Sequence, residues 1–460
     1  MDKIIEINSA VNGFVWGPIM LALLVGTGIY LSFRVGFIQF SKIGYWWKNT
    51  IGKIFQKSEA GEGEITPMQA VSTALASTVG TGNIAGVTGA IILGGPGAVF
   101  WMWISALFGM VTKFSEVTLA VKYRERNEKG DWCGGPMYYI KNGMGEKYKW
   151  LGGLFAFFGV LVAYFGIGTF AQVNSIVDIT KMTIGLDPVW TGAILTIFVT
   201  AITIGGLQSI AAAASRIVPA MAFIYFLSTI GVLLVFADKV PAAVSMIFES
   251  AFTTTAATGG FLGATVMMAM RNGVARGVFS NESGLGSAPI VAAAAKTKWP
   301  AEQGLISMTG TFIDTIIICT LTGLTLVVTG VWCGMENGAA LTNAAFTSAF
   351  PVFGGYMLLI GLVLFAFTTI LGWNYYGERC MIYLVGTKGV LPYRLVFILL
   401  IASGAFLKLE AIWILADIVN GLMAIPNLIA LLFLSGICVR ETKKYMDHLK
   451  TGKPYEEYED

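Results

Sequence analysis

Charged residues, and the residues that build metal and redox centres, are scarce in this sequence. Only 12% of its 460 residues are charged, whereas a soluble domain carries roughly 25%. The five cysteines are scattered without a Cys-x-x-Cys pair, so neither a disulfide framework nor a zinc site is indicated. The single histidine, His448, lies in the polar C-terminal tail, where we expect it to be solvated. A buried histidine proton relay is therefore excluded.

Apolar residues and glycine, by contrast, are abundant. The sequence is 55% hydrophobic and has a mean hydropathy of +0.72, which is typical of a polytopic membrane protein. The 56 glycines fit this class, because small residues let helices approach closely in lipid. The N-terminus lacks a basic segment, and the first apolar segment, about 20 residues from Val11, exceeds the apolar core of a signal peptide. We therefore expect a retained membrane helix there.

Apolar stretches of about 20 residues predict transmembrane helices, and the sequence contains eleven of them. The predicted spans are 11–33, 67–93, 97–122, 150–176, 188–205, 214–236, 263–295, 303–330, 354–384, 392–407 and 410–438.

The distribution of lysine and arginine predicts how these spans are oriented in the membrane. They are concentrated in the connection after the first span, which includes Lys53 and Lys57, in the connection after the third span, and in the tail. The connection 330–353 contains neither residue type. With eleven spans the three basic segments fall on one side, which the positive-inside rule makes cytoplasmic. We expect a multi-pass plasma-membrane protein with its N-terminus outside and its C-terminus in the cytoplasm.

Two glycine-rich stretches interrupt long apolar segments. The first break is Ser-Thr-Val-Gly-Thr-Gly-Asn at residues 77–83, and the second break is Phe-Ser-Asn-Glu-Ser-Gly-Leu-Gly at residues 279–286. Backbone inside a bilayer must satisfy its own hydrogen bonds, so a broken helix is tolerated only where it lines a protein cavity. A pair of such breaks at matching places in two halves indicates a transporter's substrate site.

Setting the first span aside leaves ten helices, and each break lies in the first helix of a group of five. The two groups begin on opposite sides of the membrane, which makes them an inverted repeat. The predicted fold is an all-α polytopic membrane protein with a 5+5 inverted repeat and one extra N-terminal helix. The predicted regions are the extra helix with its cytoplasmic connection (1–66), the first repeat (67–240), the second repeat (241–438) and a cytoplasmic tail (439–460).

The backbone of the breaks suits a zwitterion. A broken helix exposes N–H groups, which attract a carboxylate, and C=O groups, which can hold an ammonium or a sodium ion. Gly80, Gly82, Gly284 and Gly286 permit the unwinding and the close backbone approach. An amino acid could therefore bind without any charged side chain in the site.

Polar residues cluster at the breaks and on two other helices. The adjacent hydroxyls of Thr368 and Thr369, with carbonyls of a broken helix, would make the hard-oxygen site that sodium prefers. Trp373 follows this pair and fits a pocket wall and an interfacial position equally well. The other polar candidates are Thr78, Thr81, Asn83, Gln172, Ser280, Asn281, Glu282 and Asn374.

Three ionisable residues lie in predicted spans near the breaks, and such residues are functional candidates. Lys113 and Glu116 are three residues apart on one helix, so we expect them to pair with each other. Glu282 lies in the second break itself, and we expect it to cap exposed N–H groups rather than to respond to the cation.

Four further charged residues in the predicted spans are candidates. Asp314 and Asp417 lie deep in apolar runs, where we favour a structural partner over proton coupling. Arg271 and Arg276 precede the second break, and they fit an outer vestibule or gate and an ordinary salt bridge equally well.

Two longer runs resemble a known family. Residues 94–109 (GGPGAVFWMWISALFG) are similar to the pattern used to recognise sodium:alanine symporters, and residues 276–288 (RGVFSNESGLGSA) resemble a second stretch typical of the same proteins. The chain is thus identified as a member of the alanine or glycine:cation symporter (AgcS) family, over essentially its whole length. Ser283 stands where alanine is expected, a change that should not disturb the fold.

The resemblance implies a leucine-transporter-like fold in the amino acid–polyamine–organocation superfamily. The first break matches the unwound part of the first core helix, where the Thr81 and Gly82 amides would hold the substrate carboxylate. The Thr78 carbonyl would face the substrate amine. Phe279 and Ser280 match the unwound part of the sixth core helix, whose carbonyls would also receive the amine.

The same resemblance implies a sodium site and completes the substrate site. The sodium ligands would be the Ala76, Val79 and Phe365 carbonyls and the Thr368 and Thr369 hydroxyls. Gln172 and Trp373 are assigned from their helix faces. The full predicted substrate site comprises Thr78, Thr81, Gly82, Asn83, Gln172, Phe279, Ser280, Asn281, Gly284 and Trp373.

The expected function is sodium-coupled uptake of a small neutral amino acid, alanine or glycine, by alternating access, with sodium as coupling ion and no other cofactor. A proton-coupled permease or exchanger, with Asp314 or Asp417 carrying the proton, is the main alternative. An ion channel would need a repeated filter, and no such run is visible. A membrane enzyme is the weakest alternative, because paired carboxylates, a Ser/His set and metal-spaced ligands are missing from the sequence.

Overall fold

The computed structural model describes residues 2–50, 52, 63–253, 265–333, 338–406 and 409–458. Lys53 and Lys57, two of the predicted cytoplasmic charges, lie outside these residues. Within them the chain is overwhelmingly helical, and the strands are β1 (Glu125–Arg126) and β2 (Trp132–Cys133), which pair antiparallel. This small hairpin lies in the connection after the third predicted span.

The helices follow one another through short connections. In chain order they are α1 (Asp2–Val15), α2 (Pro18–Arg34), α3 (Ile38–Ser41), α4 (Ile43–Thr50), α5 (Pro67–Thr78), α6 (Ala85–Gly94), α7 (Gly97–Lys122), α8 (Pro136–Tyr139), α9 (Lys149–Phe165), α10 (Phe170–Ile184), α11 (Pro188–Thr203), α12 (Gly206–Val235), α13 (Val240–Phe252), α14 (Val266–Asn281), α15 (Ala288–Ala292), α16 (Pro300–Thr311), α17 (Thr320–Thr329), α18 (Gly338–Ala349), α19 (Gly354–Val385), α20 (Val390–Gly404), α21 (Leu409–Phe433) and α22 (Ser435–Thr451).

The described residues contain 8 helices that are long and apolar enough to cross a membrane, or up to 9 when the bent pair α5–α6 counts as one span. The protein is therefore a multi-pass membrane protein. The predicted span 188–205 corresponds to the shorter helix α11, and the predicted span 263–295 is divided between α14 and α15. The count of eleven spans is for this reason not confirmed.

Two spans that we predicted as continuous are irregular. The span 150–176 is divided into α9 and α10 at residues 166–169, where a side chain on Gly168 would place its Cβ only 2.6 Å from the Ala163 carbonyl oxygen. The span 303–330 contains a π-helical segment, Phe312–Cys319, between α16 and α17. A π-helix adds a residue to a turn without changing the apolar composition, so hydropathy does not reveal it.

Helices α7 and α19 flank the two breaks and position them. Nearly every residue in the second half of α7 is buried, and this helix packs against α2, α14 and α16. Helix α19 packs against α5, α9, α10 and α12. The first broken helix begins at a capping box, in which the Thr66 hydroxyl accepts from the Gln69 amide and the Gln69 side chain accepts from the Thr66 amide. Both broken helices therefore lie inside the bundle.

Candidate functional site

The first break is an unwound segment between α5 and α6, which are bent by 59° relative to one another. The chain leaves the helix after Thr78, is extended at Val79 and Gly80, and makes a single 3-10 turn at Thr81–Asn83. The Asn83 side-chain oxygen accepts from the Gly80 amide at 2.8 Å, which replaces a lost helical hydrogen bond. The predicted position of the first break is thus matched by the backbone.

The second break begins later than we predicted. Helix α14 continues through Asn281, and the left-handed residues are Glu282 (φ 57°), Gly284 (φ 91°) and Gly286 (φ 79°). Phe279 and Ser280 therefore belong to the last helical turn, not to the unwound part. The Ser280 carbonyl lies in this last turn, where carbonyls have no partner within the helix, so it can accept a hydrogen bond from a ligand.

The two breaks meet directly. A Cβ added to Gly82 would lie 3.2 Å from the Ser280 Cα and 3.3 Å from the Phe279 ring, so a side chain here would require the second break to move by a few tenths of an ångström. Asp314, fully buried in the π-helical segment, connects them further. Its carboxylate accepts from the Asn83 amide nitrogen at 2.7 Å and from the Ser280 hydroxyl at 2.8 Å. The expected structural partners of Asp314 are thus side chains of both breaks.

Four of the five predicted sodium ligands come together where α5 meets α19. The Thr369 hydroxyl lies 2.9 Å from the Phe365 carbonyl oxygen, 3.2 Å from that of Ala76 and 3.4 Å from that of Val79. Thr368 points elsewhere, because its hydroxyl donates to the Leu364 and Phe365 carbonyls and contacts the sulfur of Met221 on α12.

Glycine is required at two points of this contact. A Cβ on Gly80 would lie 2.4 Å from the Thr369 hydroxyl oxygen, and one on Gly372 would lie 1.9 Å from that of Ser77. The sequence indicated Gly80 through its place in the break. Nothing in the sequence indicated that Gly372 brings α19 against α5.

Gln172 and Trp373, placed from helix faces, both lie beside the breaks. The Gln172 side-chain oxygen accepts from the Thr81 amide at 3.3 Å. Trp373 is 1% exposed, which excludes an interfacial position, and its indole nitrogen donates to Glu282 at 2.8 Å. Glu282 also accepts from the Ser287 hydroxyl at 2.5 Å, so the prediction that it caps backbone N–H groups is wrong.

The expected pairing of Lys113 with Glu116 is also wrong. The Lys113 ammonium donates to the Asn281 carbonyl at 2.9 Å. One Glu116 carboxylate oxygen accepts from the amides of Gly284 and Gly286 at 3.0 and 3.1 Å. Both side chains therefore bind the backbone of the second break, because α7 packs along that break.

Arg276 and Asp417 form an ion pair between α14 and α21. The Arg276 guanidinium also lies 5.5 Å from the centre of the Phe279 ring. A cavity of about 50 Å³ is lined by both charged residues and by Asn12, Trp16 and Arg271. This arrangement gives Asp417 its expected structural partner, gives Arg276 the ordinary salt bridge that was one of its two alternatives, and places Arg276 at the wall of this cavity.

All residues predicted for the substrate and for sodium are buried. They lie in or beside the two breaks or on α10 and α19, although the Thr368 hydroxyl points away toward α12. Asn427 on α21 is a further participant that sequence reasoning missed, since its amide donates to Glu116 at 2.6 Å and to the Gly284 carbonyl at 2.9 Å. The sequence feature that could have indicated Asn427 is an amide side chain within an apolar span.

Comparison with known proteins agrees with the resemblance seen in the sequence. Residues 1–459 match the sodium:alanine symporter family. The "Sodium/alanine symporter AgcS" of Methanococcus maripaludis is 50% identical over 451 residues, covering 97% of this chain and 98% of the relative. An uncharacterized transporter of Haemophilus influenzae is 54% identical over 447 residues, covering 97% of both chains.

Among solved structures, a substrate-bound, outward-open Na⁺-coupled sialic acid symporter matches with a TM-score of 0.48 and 13% identity, over 93% of this chain and 86% of the other. That likeness is too distant to inform the fold or the site. The two relatives and the family match extend over nearly the whole chain. This chain belongs to the sodium:alanine symporter family.

Proposed function

We propose that this protein is a secondary symporter that couples sodium entry to the uptake of a small neutral amino acid, alanine or glycine. The observation that carries the proposal is the convergence of the Thr369 hydroxyl with three backbone carbonyls where the first break meets α19. Membership of the sodium:alanine symporter family, and a relative named as a sodium/alanine symporter, support the choice of ion and substrate.

The sodium ion would bind among the oxygens of Ala76, Val79, Phe365 and Thr369. Hard cations take carbonyl and hydroxyl oxygens as ligands. Such an ion would hold the unwound end of α5 against α19, and Thr368 would contribute only if its side chain rotated away from its own helix. One charge that crosses a membrane potential of 100 mV supplies about 2.3 kcal/mol.

The amino acid would bind where the breaks meet. Its carboxylate would bind the Thr81 and Gly82 amides, with Gln172 releasing or sharing the Thr81 amide. The Thr81 hydroxyl, buried and without a hydrogen-bond partner among the described residues, gives the carboxylate a further donor. The close approach of Gly82 to Ser280 leaves little room, which favours a small side chain.

The amine would bind the carbonyls at the ends of the two half-helices. On the first broken helix this is the Thr78 carbonyl, and on the second it is the carbonyls of Phe279 and Ser280. Asn83 and Asn281 shape the two breaks around it, and Trp373 closes the site from α19. Gly284 contributes through its left-handed backbone (φ 91°).

Alternating access would follow from movement of the broken helices against the rest of the bundle. We propose that residues 67–240 and 241–438 form the two inverted halves, with the N-terminus outside and the C-terminus in the cytoplasm. In this orientation the Arg276–Asp417 pair lies toward the outer side of the breaks, where it would act as a gate.

The test is sodium-stimulated alanine uptake by purified protein in liposomes. Thr369→Val keeps the shape of the side chain and removes the hydroxyl, and we expect it to abolish the stimulation by sodium. Thr229→Val on α12 is the matched control, because the Thr229 hydroxyl is equally buried and bonds only within its own helix. Unchanged sodium stimulation in folded Thr369→Val would contradict the assigned site.

A further inference from the structure

Lys113 and Glu116 are buried charges on α7 that bind opposite ends of the second break. Lys113 is 2% exposed and Glu116 is 0% exposed. They are three residues apart, a rise of about 4.5 Å along a helix, which allows them to reach both sides of the unwound segment. The fold thus places both charges on the backbone of the break.

The sign of each charge suits the backbone group that it binds. The C-terminus of a helix carries partial negative charge, and the Lys113 ammonium donates to the Asn281 carbonyl at the end of the 16-residue helix α14. Glu116 accepts from the amides of Gly284 and Gly286, N–H groups that the unwinding leaves without helical partners. Charge-assisted hydrogen bonds of this kind are about twice as strong as neutral ones.

Asn427 and Tyr139 extend the arrangement to two more helices. The Asn427 amide donates to Glu116 and to the Gly284 carbonyl, while the Tyr139 hydroxyl donates to the Asn427 side-chain oxygen. The break is therefore fixed to α7, α8 and α21 through side chains, in addition to its own backbone hydrogen bonds from the Glu282 amide to the Val278 carbonyl and from the Leu285 amide to the Glu282 carbonyl.

The space beside Lys113 is too small for an amino acid. The cavity that it lines with Thr78, Asn281 and Ser307 has a volume of about 10 Å³, which is roughly the space of one water molecule. The Lys113 ammonium is thus directed to the Asn281 carbonyl, with room for about one water molecule beside it.

We infer that Lys113 and Glu116 are positioning residues, which hold the second break in the shape that binds the substrate amine. The inference rests on the proposed function, since it assigns the amine to the last turn of α14. Loss of either charge would displace the carbonyls of Phe279 and Ser280 without touching the Ala76, Val79 and Thr369 oxygens. The affinity for the amino acid would fall while the affinity for sodium stayed the same.

The experiment compares Glu116→Leu, Glu116→Gln and Lys113→Met in liposomes. Glu116→Leu and Lys113→Met should raise the KM for alanine by about tenfold or more, a loss equivalent to one charged hydrogen bond. Glu116→Gln keeps an acceptor oxygen and should stay within about threefold of the wild-type KM. The affinity for sodium, measured by sodium binding in the absence of alanine so that coupled binding does not affect it, should not change in any of them. Ser115→Ala, a buried neighbour on α7, is the matched control.

Two results would overturn the inference. The first is a KM for alanine that is the same in Glu116→Leu as in the wild-type protein. The second is an equal loss of alanine and sodium affinity that Glu116→Gln does not relieve, which would indicate a general packing role.

Amide hydrogen exchange of residues 282–287 gives a readout that does not depend on the substrate. Exchange should be faster in Glu116→Leu than in wild type and near wild type in Glu116→Gln. Unchanged exchange in Glu116→Leu would also overturn the inference. If wild type bound neither alanine nor glycine, the proposed function would fail, and the exchange rates would still decide whether these residues hold the break.

Discussion

The Arg276 guanidinium and the Asp417 carboxylate are joined by two parallel hydrogen bonds, both 2.8 Å long. Paired hydrogen bonds of this geometry are among the strongest between side chains. Since Arg276 lies one turn before Phe279 on α14, the pair connects the second broken helix to α21. Opening a path to the substrate from that side would require the pair to separate.

Loss of this pair should impair transport more than binding. We expect Asp417→Asn to reduce sodium-driven alanine uptake by about tenfold or more, because it leaves Arg276 unpaired in a half-buried position. Equilibrium alanine binding should change by less than about threefold, since the pair does not touch the break's backbone. Uptake and binding measured on the same preparation test this, with the same change at an exposed position, Asp238→Asn, as control. Wild-type uptake in Asp417→Asn would refute a gating role.

Gly80 should be intolerant of any side chain. The added methyl group of Gly80→Ala would lie 2.4 Å from the Thr369 hydroxyl oxygen, so the first break and α19 would be forced apart at the proposed sodium site. We expect uptake to fall by about a hundredfold, corresponding to roughly 2.7 kcal/mol. Gly86→Ala is the matched control, because its Cβ would meet no atom within 4 Å. Similar uptake by the two variants would show that transport does not require the close contact between Gly80 and Thr369.

Asp314 should serve the structure of the site and not carry the coupling ion. Both of its oxygens accept hydrogen bonds from neutral side chains, those of Asn83, Ser280 and Thr315. We therefore expect Asp314→Asn to raise the KM for alanine by about tenfold, since one of its donors would face an amide nitrogen. The uptake that remains should still require sodium.

Sodium removal separates this account from the proton-coupled alternative. Liposomes with a pH gradient and no sodium should not accumulate alanine, whereas liposomes with a sodium gradient and equal pH on both sides should. Accumulation driven by the pH gradient alone would show that the proton is the coupling ion. Asp314 would then be the first residue to test as its carrier.

The sequence predicted the breaks because their cause is local. Glycine at 80, 82, 284 and 286 permits backbone that other residues resist, and that signal is visible without the fold. The family resemblance then indicated Thr369, whose partners on α5 the structure brings within hydrogen-bond distance.

The partners of the buried charges could not be predicted, because they depend on which helices become neighbours. Lys113 and Glu116 have the spacing of a helical ion pair, yet α14 packs against α7 and both charges bind the second break. Glu282 was expected to cap the backbone, but its carboxylate accepts hydrogen bonds from the side chains of Trp373 and Ser287 instead. The π-helical segment around Asp314 was hidden for a different reason, since its composition is that of an ordinary apolar helix.

The most direct test of the central claim is the binding of alanine and glycine to the purified protein, titrated with and without sodium and compared with leucine. The account predicts that alanine and glycine bind only when sodium is present, and that leucine does not bind. Alanine binding that is equally tight without sodium would contradict the coupling assigned to Thr369. Failure of alanine and glycine to bind at any sodium concentration would contradict the proposed substrates.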